Sequence, residues 1–188
     1  METAAVLLPL FGAFIAGCLA FASPADKVKR SRIDKAAQWV TCWSLILAAV
    51  AAGFVFRDVV FGHSPTTVQL FTWIDSGAME VSWAIKADTL TAVMLFMVTT
   101  VSSLIHLYSI GYMRGNRERN QTRFYICFAI AIFGAMGVAM SANLFTLFVF
   151  YEVLTLSTYP LVAHKGDAAA KRTAIASIQC RVNIHSRR

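Results

Sequence analysis

Five long apolar runs, separated by clusters of charge, limit how this chain can fold more than any other feature. A helix needs about 20 mostly apolar residues to cross roughly 30 Å of hydrocarbon. Only 14% of the residues are charged, against about 25% in soluble domains. We therefore predict an all-α polytopic membrane protein with about five transmembrane helices. The predicted spans are 4–21, 37–56, 89–112, 124–140 and 144–163, and 164–188 is predicted to be a basic inner tail, interpreted as a truncated sixth helix.

The segment between the second and third predicted spans has a different pattern. From Met79 onward apolar and polar residues alternate, and a period of two favours a half-buried strand. Asp75, Ser76 and Gly77 suit a turn, and the preceding residues 68–74 are rich in strand-forming types. This pattern predicts an external β-hairpin lying on the membrane surface between helices 2 and 3.

The distribution of basic residues predicts the orientation in the membrane, because loops rich in lysine and arginine stay on the cytoplasmic side. Five follow the first span and four follow the third: Lys27, Lys29, Arg30, Arg32 and Lys35, then Arg114, Arg117, Arg119 and Arg123. The segments after the second and fourth spans hold two and none. This places the N-terminus and the hairpin outside.

Two further expectations follow from the N-terminus and the charge. No basic residue precedes the first run, which predicts a retained helix rather than a cleaved signal peptide, and the lack of a targeting segment favours a bacterial inner membrane. The basic residues that give the net charge of +7 lie beside apolar runs, and they show no recognition-helix or zinc-finger spacing. We therefore predict the lipid bilayer as a partner and no nucleic acid.

Glu152 is the acidic residue that lies near the middle of a predicted span. A carboxylate there costs at least about 2.5–3.5 kcal/mol, and such residues usually mark ion pathways or pair with a partner. Thr155 and Tyr159 share its helical face, so their hydroxyls could bond the acid or order water. Two interpretations stay open: a proton-handling group, or a neutral hydrogen-bonded acid that locks two helices together.

A second polar stripe runs along the third span. Thr99, Ser102, His106 and Ser109 fall near one helical face. A neutral histidine inside a bundle can relay protons. The alternative is a histidine that is simply satisfied in the core, and the sequence alone favours neither.

At the outer end of the third span, Lys86 and Asp88 suggest either a helix cap or an ion entry. The four cysteines are far apart and show no metal-ligand spacing: Cys18, Cys42, Cys127 and Cys180. No phosphate-binding loop or dinucleotide fingerprint is present. We predict no cofactor and no bound metal, and the chain shows no catalytic chemistry. Transport, membership of a larger complex and a structural membrane role remain.

Several segments resemble the antiporter-like proton-pumping subunits of respiratory complex I and the large subunits of Mrp-type sodium/proton antiporters. Residues 89–113, reading TLTAVMLFMVTTVSSLIHLYSIGYM, resemble the third core helix of this family, and Asp88-Thr89-Leu90 resembles its Asp-Gly-Leu start with threonine in place of glycine. Arg123-Phe124-Tyr125 resembles the start of helix four. Asn143-Leu144-Phe145, Phe150-Tyr151-Glu152 and Ser157-Thr158-Tyr159 resemble the helix-five signature.

The resemblance implies a role for each matching residue. Glu152 takes the place of the helix-five glutamate, which in the family pairs with a lysine on a later, broken helix. His106 matches a helix-three histidine that lines an ion path in part of the family. The hairpin matches the one that links neighbouring subunits.

The chain departs from the family because it ends after five predicted spans, so the partner lysine of Glu152 is missing, and Lys165 and Lys171 do not replace it. Two hypotheses follow. In the first, the chain is the N-terminal part of a subunit that moves H⁺, with Na⁺ exchange left open, together with other membrane subunits; within complex I it would be a translocase subunit. In the second, it is a truncated, non-transporting fragment or an accessory subunit.

Overall fold

The computed structural model describes residues 2–21, 27–62, 66–75, 80–115, 121–163 and 175–176. This part of the chain forms five long helices and one two-stranded sheet. In chain order the elements are α1 (Glu2–Phe21), α2 (Lys27–Gly62), β1 (Thr66–Asp75), β2 (Glu80–Ala87), α3 (Thr89–Gly115), α4 (Gln121–Met140) and α5 (Leu144–Val162). The predicted inner tail lies outside the described residues, apart from 175–176, and stays a prediction.

Four of the helices are long and apolar enough to cross a membrane, by length and composition: Arg32–Gly62, Thr89–Met113, Gln121–Met140 and Leu144–Val162. These helices confirm the prediction of an all-α polytopic membrane protein. The first predicted span contains a shorter apolar helix, Ala5–Phe21. Its crossing of the membrane stays a prediction, although α1 packs against both α2 and α4.

Helix α2 begins earlier than the sequence suggests. The basic segment after the first span was expected to be a loop up to Ala36, whereas the helix begins at Lys27. No proline or glycine interrupts the chain between Lys27 and Ala36, so charge alone does not stop the helix. At 1.5 Å per residue, 36 residues span about 54 Å, more than the roughly 30 Å of hydrocarbon. The charged first turns therefore extend the helix beyond the apolar zone.

The two strands pair antiparallel between α2 and α3, with Thr66 opposite Ala87 and Asp75 opposite Glu80. The residues that connect them, 76–79, lie outside the described part of the chain. The end of β2 contacts the short connection between α4 and α5, where Ile85 bridges Ser141 and the backbone N–H of Ala142 donates to the carbonyl of Ala84 at 3.1 Å. The sheet is therefore fixed to the same end of the bundle as the start of α5.

Small residues set how closely α1 approaches α2. A Cβ atom at Gly12 would overlap the Ser44 side chain, and Ala16 is fully buried on the same face. A Cβ atom added at Gly17 would meet no atom of another element within 4 Å among the described residues. The sequence offers two pairs of small residues at helical spacing on α1, and the Gly12–Ala16 pair is the one in this close helix contact. The main apolar core then fills the space among α1–α4, with Leu45, Leu95 and Met136 among its buried members.

Candidate ion-pathway residues

Glu152 lies on the open side of α5. The opposite side packs against α4 and buries Thr146, Phe150 and Ser157. Glu152 is exposed and lies between Phe148 and Leu156, one turn away in each direction, which are exposed as well. Among the described residues, the Glu152 side chain forms no hydrogen bond or ion pair.

Thr155 and Tyr159 lie beside this open face and are half-buried. The Thr155 hydroxyl donates to the carbonyl oxygen of Tyr151 at 2.9 Å. A hydroxyl has one hydrogen to donate, so in this arrangement Thr155 does not donate to Glu152. The face that the sequence predicts is therefore present, but the acid does not use the Thr155 hydroxyl as a donor.

His106 lies inside the bundle. It is fully buried, and its Nε2 is 3.0 Å from the hydroxyl oxygen of Thr41 on α2. The ring of Tyr125 on α4 meets it edge-on, with a distance of 4.8 Å between ring centroids, and the ring of Phe128 lies 5.3 Å away. The predicted stripe on α3 faces these helices, because Thr99 and Ser109 are also buried and Ser102 is half-buried.

The predicted candidates therefore form two separate groups. His106 lies among α2, α3 and α4, whereas Glu152 points away from α4 on the far side of α5. The described helices do not bring the two residues together. A path that joins them would need groups from outside the described residues.

Asp88 has the geometry of a helix cap at the start of α3. Its Oδ1 accepts hydrogen bonds from the backbone N–H of Thr91 at 3.2 Å and from the Thr91 hydroxyl at 2.6 Å. Lys86 lies 3.2 Å from Oδ2, in an exposed pair that adds little stability. The two Thr91 hydrogen bonds, with a smaller effect of Lys86, hold the pKa of Asp88 at about 2.

Replacing Asp88 with alanine should loosen the first turn of α3. We expect the free energy of unfolding to fall by about 1 kcal/mol, the typical cost of losing an N-cap. Amide hydrogen exchange at Thr91 and Ala92 should rise, while exchange in α5 stays unchanged. Asp88→Asn keeps an acceptor oxygen and should lose less. Equal losses in both variants, or none, would contradict the cap.

The same cap has a defined pH dependence. Because the folded-state pKa of Asp88 is lowered to about 2, the cap stabilises the helix fully above the ordinary carboxyl pKa of about 4. That stabilisation is lost as the pH falls toward about 2.

Sequence reasoning missed the polar residues of α2 and α4 that meet inside the bundle. Gln38 donates from Nε2 to Oε1 of Gln121 at 2.8 Å, and Thr122 donates its hydroxyl hydrogen to Asp34. The signal was present, because Asp34, Gln38 and Thr41 recur at helical spacing on one face of α2. Among the described residues, no three His, Cys, Asp or Glu side chains group as metal ligands would.

Residues 73–125 match the sequence model of a family described as "NADH-Ubiquinone oxidoreductase (complex I), chain 5 N-terminus". The chain is 31% identical over 163 residues to the NADH-ubiquinone oxidoreductase chain 5 of Podospora anserina, covering 87% of this chain and 23% of that protein. It is 35% identical over 167 residues to the NADH-quinone oxidoreductase subunit L of Rhodobacter capsulatus, covering 86% and 22%. The chain belongs to the antiporter-like subunit family of complex I.

A solved structure shares the fold of this family member. The structure is titled "Structure of the membrane-bound sulfane sulfur reductase (MBS), an archaeal respiratory membrane complex", and one of its chains superposes with a TM-score of 0.76. Sequence identity is 19%, and the match covers 95% of this chain and 34% of that one. The likeness shows the fold alone, over nearly the whole chain.

The matched part of the relatives is limited. The chain spans less than a quarter of the length of the two complex I relatives described above. Asp88, Ser102 and His106 lie within the stretch matched by the family model, and Glu152 lies beyond it. The activity of the full-length relatives is therefore only proposed for this chain.

Proposed function

We propose that this chain is the N-terminal part of an ion-translocating subunit of a complex I-type membrane assembly, and that Glu152 carries the translocated proton. The observation that carries this proposal is the position of Glu152, midway along α5 and exposed on the side away from α4. A carboxyl group in a membrane helix is costly unless it faces a partner or a polar path. The proposed ion is H⁺, because one carboxyl group suffices to carry a proton.

The open side of α5 also supports a multisubunit setting. Large apolar side chains surround Glu152 there, and among the described residues no positive charge pairs with it. A basic side chain, supplied from outside the described part of the chain, would balance the negative charge of the ionised acid. This pair would separate when the acid takes up a proton. This is the pairing that the family resemblance implies for the helix-five glutamate.

We further propose that the N-terminus and the sheet of β1 and β2 lie on the outer side of the membrane. The basic segments at the starts of α2 and α4 then lie on the inner side. The count of lysine and arginine residues between the spans supports this orientation. We propose a bacterial inner membrane for this chain; the subunit L relative is bacterial, whereas the chain 5 relative described above is fungal. An external sheet would be accessible to neighbouring subunits.

Dicyclohexylcarbodiimide tests the protonation of Glu152 directly, because this reagent partitions into lipid and reacts with protonated carboxyl groups. We expect Glu152 to be the main site of modification when the chain is held in lipid nanodiscs at pH 7. Peptide mass spectrometry identifies the modified residue. Glu152→Gln should remove most of the label.

Water-soluble carbodiimide provides the matched control, since it should label carboxyl groups in contact with water in preference to Glu152. If Glu152 stays unlabelled by the lipid-soluble reagent while the chain remains folded, the acid does not take up a proton in the bilayer. That result would contradict the proposed role.

A further inference from the structure

A continuous row of polar side chains extends into the bundle from the end where α2 begins and α3 ends. On α2 the row consists of Asp34, Gln38 and Thr41, spaced by one helical turn each. Gln38 is 2% exposed and Thr41 is fully buried. Polar groups in such places require partners, so the contacts made at each level show what the row can hold.

Each level of the row reaches a neighbouring helix. At the outermost level, Asp34 accepts the hydroxyl hydrogen of Thr122. One turn further in, the Gln38 amide donates to Gln121, whose own amide donates to the carbonyl of Met113 at 3.0 Å. This carbonyl belongs to the last turn of α3, where the helix itself supplies no donor.

At the innermost level, Thr41 determines which nitrogen of His106 carries the proton. The single hydroxyl hydrogen of Thr41 is directed to backbone carbonyl oxygens of its own helix, those of Ala37 and Gln38, each at 3.0 Å. With its hydrogen on these carbonyls, the Thr41 oxygen accepts from His106, which assigns the hydrogen of the neutral ring to Nε2. Nδ1 is then left as a bare acceptor.

Two buried acceptors in this row have no hydrogen-bond partner among the described residues: Nδ1 of His106 and Oε1 of Gln38. Their side chains flank the same residue, because Gln38 precedes Thr41 by one turn and His106 contacts it. Both atoms need a donor, and a buried water molecule has two hydrogens and commonly satisfies such groups. A sodium ion fits less well, because it needs several free acceptor atoms. The Thr41 oxygen already accepts the Nε2–H of His106, and the Thr41 hydrogen is directed to backbone carbonyls.

We propose that α2, α3 and α4 enclose ordered water between Gln38 and His106, and that this hydrated row connects His106 to the aqueous surface at the Asp34 end of the bundle. Gln38 and Thr41 are positioning residues for this water and for the His106 ring. The presence of water does not depend on Glu152. Its use as a proton route from the inner surface rests on the proposed function.

Nuclear magnetic resonance of the ¹⁵N-histidine-labelled chain in lipid nanodiscs can test this proposal. His106 is one of four histidines, and its signals are assigned by their loss in His106→Asn. We expect the Nε2–H tautomer, magnetisation transfer from water to the ring, and exchange of the ring N–H in D₂O at least about tenfold faster than that of backbone amides in the middle of α3.

Gln38→Met removes one of the two bare acceptors while keeping a side chain of similar length. We expect this variant to lose the water contact and to slow ring exchange about tenfold. Ser109→Ala is the matched control on α3, because the Ser109 hydroxyl donates at 2.8 Å to the carbonyl of Ile105 in its own helix. Exchange in this control should stay within about twofold of the unaltered chain.

A ring N–H as protected as the amides of α3, with no transfer from water, would overturn the proposal and show a dry polar contact that only locks helices. An unchanged exchange rate in folded Gln38→Met would also overturn it. If Gln38→Met does not fold, the water transfer and exchange of the unaltered chain decide alone. Labelling of Glu152 by carbodiimide is independent of all these results, so failure of one proposal is distinguishable from failure of the other.

Discussion

On the role proposed for Glu152, its replacement with glutamine is expected to abolish proton translocation through a full-length subunit that contains this sequence. Glutamine matches glutamate in size and keeps one acceptor oxygen but cannot take up and release a proton. The share of proton transport that passes through this subunit should fall by at least about tenfold when electron transfer drives transport in vesicles. The measurement is internal acidification reported by a trapped pH-sensitive dye, in membranes that hold the complete assembly.

Two control variants separate charge transfer from folding. Glu152→Asp keeps the carboxyl group on a side chain one methylene shorter and should retain part of the transport, since an acidic group remains at this position. Glu80→Gln makes the same chemical change in β2, outside the helices, and should leave transport unchanged. Native gel electrophoresis should show equal amounts of assembled complex in all three variants. Normal transport by assembled Glu152→Gln would exclude Glu152 as the proton carrier.

The helices of this protein could be predicted from sequence because apolar run length is a local property. Four of the five predicted spans correspond to helices long enough to cross a membrane. The start of α2 was missed because the transition from apolar to charged residues near Ala37 marks the edge of the hydrocarbon rather than the end of the helix. Hydropathy reports burial in lipid, whereas helix ends depend on backbone capping and breakers.

The candidate residues were predictable as residues but not as contacts. The free-energy cost of a carboxyl group in the middle of a membrane helix is enough to single out Glu152. The sequence does not show, however, that its side chain faces away from α4. His106 was placed on a polar stripe, but Thr41 as its partner depends on how α2 and α3 are rotated against each other. Rotation is set by packing between distant segments, which no single helical period encodes.

The side of α5 that Glu152 occupies is set by a close contact between α4 and α5. Gly134 on α4 lies so near the partner helix that an added Cβ would be 3.1 Å from the backbone nitrogen of Leu154. Gly137 faces the ring of Phe150, which is 3% exposed and packs edge-on against Phe133 at 5.4 Å between centroids. Phe150 precedes Glu152 by two residues, so the two side chains point to roughly opposite sides of α5. The packing of Phe150 against Gly137 therefore helps to direct Glu152 away from α4.

Gly137→Ala should therefore destabilise the protein and displace α5. The added methyl group would overlap the Phe150 ring, and overpacking of this kind typically costs about 1–3 kcal/mol. Alanine also favours a helix over glycine by up to about 1 kcal/mol, so the net loss measures how firmly Phe150 is held. Unfolding of the chain by sodium dodecyl sulfate in mixed micelles gives the change in free energy.

Gly111→Ala on α3 is the matched control, because an added Cβ there meets no atom within 4 Å among the described residues. It should leave stability unchanged or raise it slightly through helix propensity. In Gly137→Ala, exchange of the backbone amides should increase along α5 more than along α2, since only α5 loses its seat. If both variants behave alike, the side of α5 that carries Glu152 is not determined by the fit of Phe150 on Gly137.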